Sequence, residues 1–149
     1  MRLIRLEGDQ ADSVDVEVVR QTYRPETVLV NGLGATECGL VRQFFIQPGD
    51  EVASGSLPVG YPVPGVEISI LSADGGDAGH GTEGEIVVYS EYLASEYWAD
   101  EALTMARFTV DSQGRRVYRT GDVGSLGEDG LLQIWGRIDG PVYINGRKT

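Results

Sequence analysis

From residue 39 onward the chain alternates short apolar runs with clusters of glycine, aspartate and proline, a rhythm that leaves little room for long helices. The runs fall at 40–46, 66–71, 85–90, 116–120, 123–126, 131–135 and 142–145. Between them stand Gln47-Pro48-Gly49-Asp50, Ala73-Asp74-Gly75-Gly76-Asp77, Gly127-Glu128-Asp129-Gly130 and Ile138-Asp139-Gly140-Pro141. Such spacing predicts antiparallel strands joined by tight turns, with 127–130 as a hairpin tip. Glycine, at 21 of 149 residues, is abundant enough to serve many turns. One helical stretch is expected near 99–108, with Leu103 and Phe108 facing inward.

The first thirty residues read differently. Leu3-Ile4-Arg5-Leu6 predicts a short buried strand ending at Glu7-Gly8-Asp9. Asp12 or Ser13 is placed to cap a helix carrying Val14, Val18 and Tyr23 or its neighbours at roughly helical spacing, and Pro25 ends it. Residues 27–30, apolar and β-branched, predict a second strand, giving a βαβ-like unit. Two strands do not make an independent fold. Both are therefore expected to be open edges, available for homodimer formation or strand exchange.

Charge and cysteine usage narrow the function classes. Twelve Lys and Arg residues against 23 Asp and Glu give a net charge of -11, which repels a phosphate backbone and argues against a nucleic-acid partner. A single nucleotide is not excluded, because local donors hold one anionic ligand. The lone Cys38 forms no internal disulfide, and a packed, inert thiol is expected, since the one histidine, His80, lies in a glycine-rich loop. The N-terminus lacks a long apolar run, so the sequence reads as cytoplasmic with no membrane span.

Three segments carry groups suited to chemistry. In Asn31-Gly32-Leu33-Gly34-Ala35-Thr36-Glu37, glycines admit close backbone approach, a hydroxyl is available to a phosphate oxygen, and a carboxylate suits magnesium, which takes few protein ligands beside phosphate oxygens. Alone, the segment equally describes a capped turn with a solvated Glu37. In Tyr118-Arg119-Thr120-Gly121-Asp122, a carboxylate on a turn at a strand end suits a ribose diol, or simply fixes its own turn. In Gly136-Arg137-Ile138-Asp139, the arginine suits a phosphate or ribose edge, or a surface ion pair.

Taken in order, N-x-x-G-x-T-E, then Gly84-Glu85-Ile86 with Tyr92-Leu93 and Tyr97-Trp98, then Tyr118 to Asp122, then Gly136 to Asp139, resemble the successive core motifs of the adenylate-forming superfamily. That superfamily includes nonribosomal peptide synthetase adenylation domains, acyl-CoA synthetases and luciferases. The connection Leu57-Pro58-Val59-Gly60-Tyr61-Pro62-Val63-Pro64-Gly65 is similar too, so the resemblance covers nearly the whole chain.

The resemblance implies an α+β, mostly β fold: the tail of an α/β subdomain with the Thr-Glu motif over 1–50, a distorted antiparallel β-barrel-like subdomain over 51–136, and a hinge with the start of a C-terminal subdomain over 137–149. It implies ATP-dependent activation of a carboxylate substrate to an acyl- or aminoacyl-adenylate, with Mg2+, and transfer to a thiol of CoA or of a carrier protein's phosphopantetheine. By position, Thr36 would contact phosphate and Glu37 hold magnesium, as the catalytic pair. Gly34 and Ala35 would line the meeting place of nucleotide and acyl group, Asp122 bind the ribose hydroxyls, Arg137 assist there, Asp139 serve as hinge, and Gly8 border the adenine pocket.

Leu33 and Ile134 stand where the superfamily often has aromatic rings against adenine, which removes the π-stacking part of base binding and implies a divergent member or one with a weakened nucleotide site. Tyr143 stands where lysine is frequent. The superfamily's phosphate loop, catalytic lysine and most of its acyl pocket have no counterpart in the sequence. Met1 and Thr149 are accordingly expected to be imposed limits within a longer chain, the remaining subdomains being partners and the piece inactive alone. The alternative is a non-catalytic protein-binding or scaffold module derived from the fold.

Overall fold

The computed structural model describes residues 2–138, 143–144 and 147–148. Two open sheets form the body of the protein. The first begins with β1 (Leu3–Leu6), crosses over through α1 (Ser13–Thr22) and returns as β2 (Val28–Ala35), parallel to β1 with Leu3 opposite Val28. β3 (Gly39–Ile46) folds back antiparallel on β2, and β4 (Tyr61–Pro62) closes the order β1-β2-β3-β4.

α1 starts where a capping box forms. The Asp12 side chain accepts from the amides of Val14 and Asp15, and the Asp15 carboxylate accepts from the Asp12 amide. The face it buries is not the expected one. Val16 and Val19 pack on Leu29, Ile46 and Leu57, whereas Val14, Val18 and Tyr23 are exposed. Valines at 14, 16, 18 and 19 offer the helix two apolar stripes, and the sheet beneath selects one of them. β1 is likewise half exposed rather than buried, with Leu3 at 50%. It alone of the first two strands forms an edge, since β2 is paired on both sides.

The second sheet is antiparallel, in the order β5 (Val66–Leu71), β6 (Gly84–Ser90), β8 (Arg116–Leu126), β7 (Phe108–Val110), with β9 (Leu132–Arg137) also on β8. The class is thus α+β dominated by strands, as expected. The hairpin tip at 127–130 forms, with the Gly127 amide donating to Leu131 O and that of Gly130 to Gly127 O. α2 (Glu101–Arg107), capped by Asp100, precedes β7. Phe108 is half-buried and packs on the core, but Leu103 points outward at 38% exposure, a departure from expectation, and α2 buries none of its residues. β10 (Tyr143–Ile144) and β11 (Arg147–Lys148) pair antiparallel.

β8 fuses two runs that read as separate strands. It continues through Thr120-Gly121-Asp122, and along one edge it changes partner: Arg116 to Tyr118 face β7, whereas Asp122 to Leu126 face β9. The exchange coincides with a register shift against β6 and with Gly121 at φ 75°, a conformation that glycine adopts without penalty. Asp122 therefore sits within a strand at a bulge, not at a strand end.

The connection 57–60 stitches the sheets together. Val59 N donates to Leu132 O at 3.0 Å, and Leu132 N to Gly60 O at 3.1 Å. Buried Asn31 holds the same connection by donating to Pro58 O at 3.0 Å. Arg42, also buried, donates through Nη1 to Gly130 O at 2.9 Å, tying β3 to the hairpin tip. No carboxylate faces it among the described residues, and burial holds its guanidinium below the ordinary pKa.

Candidate functional site

The two sheets leave a cleft of about 290 Å³, near the lower end of ligand-sized pockets. Of the expected site residues, Gly8, Leu33, Gly34, Ala35, Asp122, Ile134 and Arg137 all line it. Thr36 and Glu37 do not. They lie in the turn between β2 and β3, Thr36 exposed and Glu37 half-buried, beside a lining that includes Ala35 and Cys38. Asp139 lies outside the described residues.

The segment from Asn31 to Ala35, expected as a loop, is the second half of β2, and only Thr36 to Cys38 turn. Gly34 is dictated by space. A Cβ there would stand 2.7 Å from the Gly39 carbonyl oxygen and 2.3 Å from Glu7 Oε1, so the β2–β3 arm closes this tightly only over a glycine. Gly8 has room for a side chain but adopts φ 95°.

At the other end of the cleft the strand backbone is fixed by side chains. Thr120 Oγ1 accepts from the Asp122 amide at 2.9 Å and donates to Ile86 O at 2.8 Å. The Gly121 amide donates to Glu85 Oε1 at 3.2 Å, and Glu85, 7% exposed, is neutralised by Arg119, whose Nε lies 2.9 Å away. These contacts hold the bulge that presents Asp122. Its carboxyl Oδ1 accepts from Arg137 Nη1 at 2.8 Å across directly paired positions of β8 and β9. Asp122 and Arg137, read from separate segments, are one pair.

Leu33 and Ile134 each pack against the cluster of Val59, Ile70, Ile86 and Leu132, giving the cleft two aliphatic walls. Burial pushes the Cys38 thiol up from 9.0 to about 11, and the charges of Glu37, Asp122 and Glu7 add to that rise. A buried protonated thiol is a poor nucleophile, in line with the packed Cys38 expected. Burial, the Tyr97 hydroxyl and Glu37 raise the Tyr118 phenol as well.

The family model for AMP-binding enzymes matches residues 1–98. The chain belongs to that family. Among curated relatives it is similar to novobiocin biosynthesis protein H of Streptomyces niveus, 34% identical over 131 residues, 85% of this chain and 21% of that protein. It is also similar to tyrocidine synthase 1 of Brevibacillus parabrevis, 33% identical over 122 residues, 80% of this chain and 11% of the synthase. Among solved structures, CmiS6 superposes with TM-score 0.84 at 31% identity, covering 93% of this chain and 34% of that one. Holo-PA1221, described as an NRPS protein with adenylation and PCP domains bound to a vinylsulfonamide inhibitor, gives TM-score 0.81 at 32% identity, covering 98% of this chain and 26% of that one. The chain spans about a third or less of the length of each of these proteins.

Sequence reasoning about this family member missed several cleft residues. Gln10 joins Ser56 Oγ through Nε2 at 2.8 Å, while Tyr118 and Thr120 line the wall below Asp122. Thr120 carried a signal, since a hydroxyl two residues before a site carboxylate is placed to hold its amide. Gln10 carried none, because its partners lie 46 and more residues away.

Among the described residues no three His, Cys, Asp or Glu side chains gather to hold a metal. Beside the cleft, Glu37 offers a single half-buried carboxylate.

Proposed function

We propose that this cleft binds the nucleoside part of an adenylate, within an enzyme that activates a carboxylate with ATP and passes it to a thiol. The observation that carries the reading is the Asp122–Arg137 pair, held by a bulge between the aliphatic walls Leu33 and Ile134. Asp122 accepts from the ribose hydroxyls, and Arg137 fixes its orientation and offsets a charge that would otherwise repel phosphate. Leu33 and Ile134 sandwich the base by dispersion rather than stacking. Gly34 and Ala35 lie where nucleotide and acyl group meet, and Gly8 borders the base. Thr36 and Glu37 face phosphate from the rim, Glu37 holding Mg2+, which would neutralise phosphate charge. Asp139 is proposed as a hinge. The acceptor favoured by the peptide-synthetase likeness is a carrier protein's phosphopantetheine, with CoA the alternative, and the reduced thiol of Cys38 suits a cytoplasmic setting.

The test is calorimetric titration of the chain with AMP. Binding is expected for the native chain and loss of binding for Asp122→Ala, since two hydrogen bonds to a carboxylate contribute about 1.5–3 kcal/mol each. Equal affinity of the two proteins removes Asp122 from the site.

A further inference from the structure

The segment between β6 and α2 carries two highly exposed aromatic side chains, Tyr92 at 76% and Trp98 at 95%, yet Tyr97 between them turns inward. Although the segment lacks regular secondary structure, it is firmly tethered. Arg116 donates to three successive carbonyls, those of Leu93, Ala94 and Ser95, at 3.2, 2.7 and 3.0 Å. The Tyr97 amide donates to Thr104 Oγ1 at 3.0 Å, and that hydroxyl donates to Asp100 O at 2.7 Å. The Tyr97 ring packs on Phe108, centroids 5.5 Å apart, and Phe108 packs on Tyr118 at 5.1 Å.

This frame meets the β2–β3 turn at two points, both on Glu37. Ala94 N donates to Glu37 O at 2.7 Å, which fixes the backbone, and Tyr97 Oη donates to Glu37 Oε1, also at 2.7 Å. We propose that Tyr97 is a positioning residue for the metal–nucleotide complex at Glu37: its phenol holds one carboxylate oxygen and leaves the other aimed at the metal.

The inference rests on the reading of Glu37 as the magnesium carboxylate. A carboxylate in a turn would otherwise rotate, and ordering it would fall on the binding step. Magnesium demands near-octahedral geometry, so a preset carboxylate matters more to it than to a softer ion.

The experiment measures water-proton relaxation on titrating the chain with Mn2+–ATP, beside calorimetry with metal-free ATP. Tyr97→Phe, which keeps the ring on Phe108, is expected to weaken Mn2+–ATP about 3–10-fold with metal-free affinity unchanged. Glu37→Asp, which keeps the charge but withdraws it from the phenol, is expected to lose a similar factor and stands in should Tyr97→Phe not fold. In a Glu37→Gln background Tyr97→Phe is expected to change nothing more. Native affinity in both Tyr97→Phe and Glu37→Asp overturns the positioning role alone, as does an equal loss toward metal-free ATP. A native chain whose ATP binding ignores Mn2+ overturns the Glu37 reading and the positioning role together.

Discussion

The two ends of the cleft are built by opposite means. At the β8 end, Thr120-Gly121-Asp122 lies inside a sheet, where the buried side chains of Thr120 and Glu85 hydrogen-bond the strand backbone. At the β2–β3 end, Ala35 and Thr36 are exposed, and the turn is steadied from a segment some sixty residues away, through Glu37. The first end is as stable as the sheet that contains it. The second is anchored in the core by Cys38 and held at its exposed side by the contacts on Glu37.

The largest effect should come from the core that the β8 end shares. Leu132 is fully buried, in the cluster that backs Ile134, and its amide and carbonyl stitch the two sheets. Leu132→Ala is expected to cost about 2–5 kcal/mol in urea denaturation. A loss below about 1 kcal/mol would mean that the sheets are not cooperatively joined there.

Next comes a matched pair. Thr120→Val removes a buried hydroxyl that serves Asp122 N and Ile86 O, and should cost about 1–3 kcal/mol. Thr36→Ala at the opposite end should stay within about 0.5 kcal/mol, because Thr36 is exposed. Equal costs in the same denaturation assay would erase the distinction between the ends.

Alkaline pH gives a smaller and graded effect. Because folding raises Cys38 from 9.0 to about 11, its contribution to stability is intact below pH 9 and lost as pH climbs through 11. Cys38→Ser should flatten that part of a stability–pH curve. An unchanged slope would place the thiol in a wetter site than the cleft wall.

The sequence made the strands legible and left their relations hidden. The runs at 66–71 and 85–90 needed only alternation and turn residues, and both appear as β5 and β6. Thr120-Gly121-Asp122 was read as a break because glycine ends more strands than it bends; the bulge is visible only once β8 has two partners along one edge. The helix face was misread because α1 carries two apolar stripes, and the choice between them is made by Leu29, Ile46 and Leu57. The expected residues that line the cleft come from the family's motif order. The Asp122–Arg137 pairing and the Tyr97–Glu37 contact do not, since both arise from pairings between distant segments that no local pattern encodes.

The central claim is that Asp122 recognises a ribose diol. It is tested most directly by comparing AMP with 2′,3′-dideoxy-AMP in one calorimetric titration, for the native chain and for Asp122→Ala. The native chain is expected to prefer AMP strongly and the variant to lose the preference. Equal binding of both nucleotides by the native chain would contradict it.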